Sequence, residues 1–115
     1  MSRFLMASLY RSYGLMYKIL NSRQAQKDAV NIERSGLRPQ VEKIFATVEY
    51  NPFEDSQSFE ELKGRLKGKY SRRINKVHRF VYEILPNENN EVDKNGTLYE
   101  GIVWVLSMWT HYERI

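Results

Sequence analysis

The stretch from Gly68 to Tyr82 sets five cations and a histidine among β-branched and aromatic residues, and it limits the fold more than any other part of the chain. Val77, Phe80, Val81, Tyr82 and Ile84 suit a pleated, half-buried surface, and Asn75-Lys76 is the one plausible reversal within the run. The expected unit is a hairpin of Tyr70–Ile74 and Val77–Leu85. Alternation then places His78, Phe80, Tyr82 and Ile84 on a core face, with Arg79, Val81 and Glu83 on a more open face. Arg79 is thereby aimed away from the core, and a guanidinium fork held in that way suits a phosphate-like oxyanion.

A chain of 115 residues supports one domain with a single two-layer core. It has no cysteine, which excludes disulfides and thiolate zinc sites. Its two histidines stand without a supporting acidic cluster, so no metal and no cofactor is expected. The formal charge is +4, with cations crowded into 63–79, and this favours a polyanionic partner. No apolar run is long enough for a membrane helix. Residues 1–15 resemble the front of a signal peptide but lack a clear cleavage site, so a cytoplasmic protein is expected. They are read as an N-terminal extension, disordered or arising from an upstream start, ahead of a single domain at 16–115.

From Leu15 to Leu20 the chain reads as a short apolar strand, and Ser22 can cap a helix that follows. Ala25, Ala29 and Ile32 give that helix one apolar stripe from Arg23 to Arg34, closed by Ser35-Gly36. Val41, Ile44, Phe45 and Val48 recur at helical spacing and predict a second helix from Pro39 to Tyr50. Leu62–Leu66 is expected to be a strand that turns at Lys67-Gly68 and pairs with Lys69–Ile74. Ile102–Trp109, apolar on both faces, predicts an interior strand beside Val77–Leu85. The order is β-α-α-β-β-β-β: an α+β fold with two N-terminal helices packed on one face of a small, mostly antiparallel sheet. The link 86–100, with a tight turn expected at Asn95-Gly96, falls at the far end from the basic cluster.

These pairings bring Glu60, Arg79 and His111 towards one edge of the sheet. Metal-free cleavage of RNA needs a base for the 2′-hydroxyl proton, a cation for the pentacovalent phosphate and an acid for the leaving 5′-oxygen. A carboxylate, a guanidinium and an imidazole can fill those roles, and imidazole titrates near neutrality. Composition alone leaves other readings open. Glu60 beside Glu61 reads more readily as a solvated surface charge, Arg79 as well pairs with a carboxylate as with phosphate, and His78 on a core face reads as structural. His111 is ambiguous, and Tyr112 either stacks on a base or caps the sheet.

Pro52-Phe53-Glu54, Glu60-Glu61-Leu62-Lys63, Gly68, Ser71-Arg72-Arg73-Ile74, His78-Arg79-Phe80-Val81-Tyr82 and His111-Tyr112, in that order, resemble the YoeB/Txe family of toxin–antitoxin ribonucleases within the RelE-like group. The likeness spans about Met16 to Tyr112. It implies a RelE/YoeB-like microbial RNase architecture and an mRNA endonuclease acting in the ribosomal A site. It further implies Glu60 as general base, Arg79 as the phosphate-stabilising arginine and His111 as general acid. Lys63, Arg72, Arg73 and Tyr112 are expected to bind the substrate, Lys63 and Arg73 matching basic residues of the family's cleft. An acidic YefM/Axe-like antitoxin is the implied partner and a homodimer an implied assembly. Two rival readings are a gyrase-targeting toxin of the same superfamily, which has no need of the Glu60, Arg79 and His111 set, and a non-catalytic basic nucleic-acid-binding module.

Overall fold

Five strands and two helices account for the architecture of residues 16–109, the part that the computed structural model describes. In chain order they are β1 (Tyr17–Asn21), α1 (Arg23–Arg34), α2 (Arg38–Tyr50), β2 (Glu60–Glu61), β3 (Lys69–Arg73), β4 (Arg79–Pro86) and β5 (Gly101–Ser107). The strands lie side by side as β1-β5-β4-β3-β2, with β1 parallel to β5 and every other neighbour antiparallel. Among the described residues no helix is long and apolar enough to cross a membrane.

Local signals explain both helices. Ser22 stands at the N-cap of α1, where its Oγ accepts from Ala25 N at 3.0 Å and also donates to Leu106 O at 3.0 Å. One hydroxyl thus starts the helix and fixes it to β5. At the other end Gly36 takes φ +71°, while Leu37 N donates to Ile32 O at 3.1 Å and Gly36 N to Glu33 O at 3.3 Å. That is the left-handed closure a glycine permits. Helix α2 carries Pro39 in its first turn and buries Val41, Ile44 and Val48, and Phe45 meets Phe80 edge-on at 5.5 Å. These side chains close one core against Phe80, Tyr82, Val103 and Val105 of the central strands.

The apolar stripe of α1 differs from expectation: Ala25, Asp28 and Ile32 are buried, while Ala29 is exposed. Asp28 is 1 % exposed. Its Oδ2 accepts from Met108 N at 2.9 Å and Trp109 N at 3.3 Å, and its Oδ1 accepts from Gln24 Nε2 at 2.8 Å. A carboxylate on the helix thus takes the amides that would have extended the last strand. This is why β5 ends at Ser107 instead of continuing to Trp109.

The expected strand Leu62–Leu66 is absent. Its place is taken by the two-residue strand β2 and a 3-10 turn at Gly64–Leu66. Gly64 at φ +65° ends the extended run. Leu62 and Leu66 then fold onto Val81 and Leu106, covering the sheet face opposite the helices. A strand continuing in the plane of the sheet would leave that apolar pair in water. The link 86–100 does hold the expected turn: Gly96 N donates to Asp93 O at 3.0 Å, Gly96 takes φ +79°, and Val92 bridges Leu98. An ion pair between Lys18 and Glu91 fastens this excursion to β1.

Candidate active site

Strand register decides which side chains meet. A two-residue reversal at Asn75-Lys76 would set Ile74 opposite Val77 and Arg72 opposite Arg79. The observed link runs from 74 to 78, with Ile74 N donating to His78 O at 3.0 Å and Asn75 Oδ1 accepting from Val77 N at 2.9 Å and His78 N at 2.7 Å. The longer turn shifts β3 by one residue, so Arg73 faces Arg79 and Arg72 faces Phe80. A slip of one exchanges the faces of a whole strand.

Arg72 is therefore not at the surface, and its expected place among the substrate-binding residues is corrected. The side chain is 0 % exposed and lies inside the core layer. Nε donates to Tyr82 Oη at 3.0 Å, Nη1 to Ser56 O at 2.8 Å and Gln57 Oε1 at 3.2 Å, and Nη2 to Pro52 O at 3.1 Å and Glu54 O at 2.7 Å. The guanidinium also lies 4.8 Å from the centre of the Phe59 ring. Tyr82, itself 0 % exposed, donates its hydroxyl to Pro52 O at 2.6 Å. Burial pushes that phenol up to about 12, so it remains a donor throughout the neutral range.

Glu60 pairs with Ser71, and Glu61 with Tyr70. The hairpin expected from a turn at Lys67-Gly68 would have carried Glu60 four residues further, opposite Asn75. A shift of four is even, so Glu60 keeps its face relative to β3 and moves with that strand's one-residue slip to the face of Arg79. Ser71 in turn faces Val81, and Val81 faces Ser107, which puts Glu60, Ser71 and Val81 in one row on the sheet face away from the helices. Arg73 and Arg79 form the next row on that face. From strand spacing and rise, the Cα atoms of Glu60 and Arg79 stand about 12 Å apart, a gap that the two side chains can close around a phosphodiester.

The arginine pair puts two like charges directly opposite each other, an arrangement that an anion between them relieves. Arg73 is exposed, whereas Arg79 is half-buried. Arg79 Nη1 donates to the carbonyls of Asn75 at 2.9 Å, His78 at 3.3 Å and Lys76 at 3.4 Å. The same Asx-shaped link that set the register therefore orients the guanidinium. Lys63, Arg65, Lys67 and Lys76 are exposed in the segments that flank β3, while Lys69 is engaged by Glu83 at 3.8 Å. Among the described residues no three His, Cys, Asp or Glu side chains converge as a metal ion would require.

His78, half-buried, stacks on Trp109 with ring centres 3.8 Å apart and planes 17° from parallel. This contact puts the end of the last described segment beside the start of β4, against the helix-side core. His111 and Tyr112, the expected acid and its neighbour, lie outside the described residues, as does the extension at 1–15. Two features were missed from the sequence. Asp28 carried a signal, since positions 25, 28 and 32 fall on one helical face; the inward turn of Arg72 carried none, because it depends on a turn length.

The family described as a YoeB-like toxin of bacterial type II toxin–antitoxin systems matches residues 26–94, more than half of the chain. Among solved structures, a YoeB/ParE toxin from Agrobacterium tumefaciens superposes with a TM-score of 0.67 at 23 % identity, covering 83 % of this chain and 99 % of that one. The YoeB dimer from Staphylococcus aureus gives a TM-score of 0.62 at 26 % identity over 84 % of this chain and 99 % of that one. The heterotetrameric YoeB–YefM toxin–antitoxin complex from Staphylococcus aureus gives 0.61 at 27 % identity over 84 % and 98 %. No curated protein matches the sequence.

Proposed function

Because the chain belongs to the YoeB-like toxins of bacterial type II toxin–antitoxin systems, we propose that it is an endoribonuclease that cleaves mRNA in the ribosomal A site and so inhibits translation. The observation that supports this most is the placing of Glu60 and Arg79, from different strands, on the sheet face away from the helices. Glu60 takes the proton of a ribose 2′-hydroxyl, and the oxygen attacks the adjacent phosphorus. Arg79, with Arg73 beside it, holds the negative charge that builds on the equatorial oxygens. The bond from phosphorus to the 5′-oxygen then breaks, leaving a 2′,3′-cyclic phosphate. His111 supplies the proton to the departing oxygen, and Tyr112 and Lys63 hold the flanking nucleotides.

The rest of the reading follows from charge. An acidic antitoxin segment that covers the face bearing Lys63, Arg73 and Arg79 would block the site directly, in keeping with the antitoxin complexes known for the Staphylococcus aureus relative. A homodimer is proposed on the same footing, from the dimer of that relative. The test is cleavage of ribosome-bound mRNA by wild type, Glu60→Gln, Arg79→Ala and His111→Ala, each checked for folding by its melting temperature. Every substitution should lower the rate by on the order of a hundredfold or more. Wild-type cleavage by folded Arg79→Ala would refute the assignment of roles.

A further inference from the structure

The loop before β2 is held in a way that its own residues do not favour. Gln57 and Ser58 take φ of 51° and 55°, two consecutive non-glycine residues in the left-handed region. Such strain persists where surrounding contacts over-determine it. Those contacts converge on Arg72. Its Nη1 and Nη2 take the carbonyls of Pro52, Glu54 and Ser56, and Nη1 also reaches Gln57 Oε1 and, at 3.4 Å, Ser56 Oγ. Gln57 O meanwhile accepts from Arg73 N at 2.7 Å, and Gln57 Nε2 donates to Thr47 Oγ1 of α2 at 3.0 Å. Phe59 packs against both the guanidinium, 4.8 Å from its ring centre, and the Tyr70 ring, which stacks on it at 5.7 Å. The residue that follows Phe59 is Glu60.

The strand that carries Glu60 cannot place it unaided. It is two residues long and lies at the edge of the sheet, and both its glutamates are exposed. An edge strand so short has little ladder to resist sliding or fraying. We propose that Arg72 is a positioning residue: by gathering the 52–57 loop onto the sheet it fixes where the chain enters β2, and so keeps Glu60 opposite Ser71 on the face shared with Arg79. The groups to which Arg72 donates are all uncharged, and carbonyls spread along a loop are what a five-donor planar fork can collect and a point-like ammonium cannot. The inference rests on the proposed role of Glu60 as base.

The test compares wild type, Arg72→Lys, Glu60→Gln and the double variant in cleavage of ribosome-bound mRNA. It also records amide hydrogen exchange over 54–61 and over β4 and β5. Arg72→Lys should lower kcat by on the order of a hundredfold, as a displacement near 1 Å does, and leave KM within about twofold. The double variant should be no slower than Glu60→Gln, because the lost positioning acts only through that carboxylate. Exchange should rise at least about tenfold over 54–61 and remain unchanged in β4 and β5. If Arg72→Lys fails to fold, Tyr82→Phe, which keeps the shape and removes one link to Pro52 O, should show the same pattern more weakly. Wild-type kcat in a folded variant, a loss confined to KM, or losses that multiply in the double variant would each overturn the inference. A wild type that does not cleave refutes the ribonuclease reading instead, and unchanged loop exchange would then refute the anchoring separately.

Discussion

A single phenol joins the core to the site loop, and its titration gives a stability prediction. The Tyr82 hydroxyl is raised from 10.0 to about 12, chiefly by burial, with the nearby Arg72 pulling the other way. A raised folded-state value means that the folded form holds its proton longer than the unfolded form. The contribution is thus fully present below about pH 10 and is lost as pH rises through about 12. It is on the order of 2–3 kcal/mol at most. The stability advantage of wild type over Tyr82→Phe, measured by urea unfolding, should be constant from pH 7 to 9 and shrink between pH 10 and 12. An advantage that grew with alkali would show that the phenol is not held protonated by its surroundings.

At the scale of elements, two side chains of α1 set both ends of its contact with β5. Ser22→Ala removes the N-cap acceptor and the bond to Leu106 O, and should cost about 1 kcal/mol. Asp28→Ala leaves the amides of Met108 and Trp109 without their acceptor in a buried setting, and should cost about 2–4 kcal/mol in urea unfolding. Asp28→Ala should also lower cleavage beyond its effect on stability, since the chain beyond Trp109 leads to His111. On the opposite face, Leu66→Ala uncovers Val81 and Leu106, and about 2 kcal/mol is expected, near the low end for a core leucine because the site lies at the sheet's margin. A neutral Leu66→Ala would show that the second apolar cluster contributes no stability.

At the scale of the molecule, the charge is unevenly placed. The excess of +4 is carried largely by the segment that forms β2, β3 and the turns around them, where Lys63, Arg65, Lys67, Arg73 and Lys76 are exposed. Binding of RNA or of an acidic protein segment to that face should therefore weaken steeply with salt. Replacing Lys63 and Lys67 by Gln should reduce the slope of log K against log salt by about 1.4 for single-stranded RNA, and leave the melting temperature nearly unchanged. A slope unaltered by the pair would move the docking surface elsewhere.

The sequence by itself determined the element types, their order and most of the sheet. Helical spacing at Val41, Ile44 and Val48, the cap at Ser22 and the alternation around Phe80 are local and depend on no distant residue. It did not determine that Glu60 and Arg79 share a face: the register of β2 was wrong by an even number, but Glu60 follows β3, and β3 was one residue out against β4. Tertiary structure alone decided the rest. The length of the 74–78 turn exchanged the faces of β3, sending Arg72 inward and leaving Arg73 opposite Arg79. Where β5 stops decided that a carboxylate, Asp28, and not Ala29, completes the stripe of α1. The physical reason is the same in both cases. Periodicity fixes which residues of an element lie on one side, but which side is inward, and which amides lack a partner, is settled only when another element is packed against it.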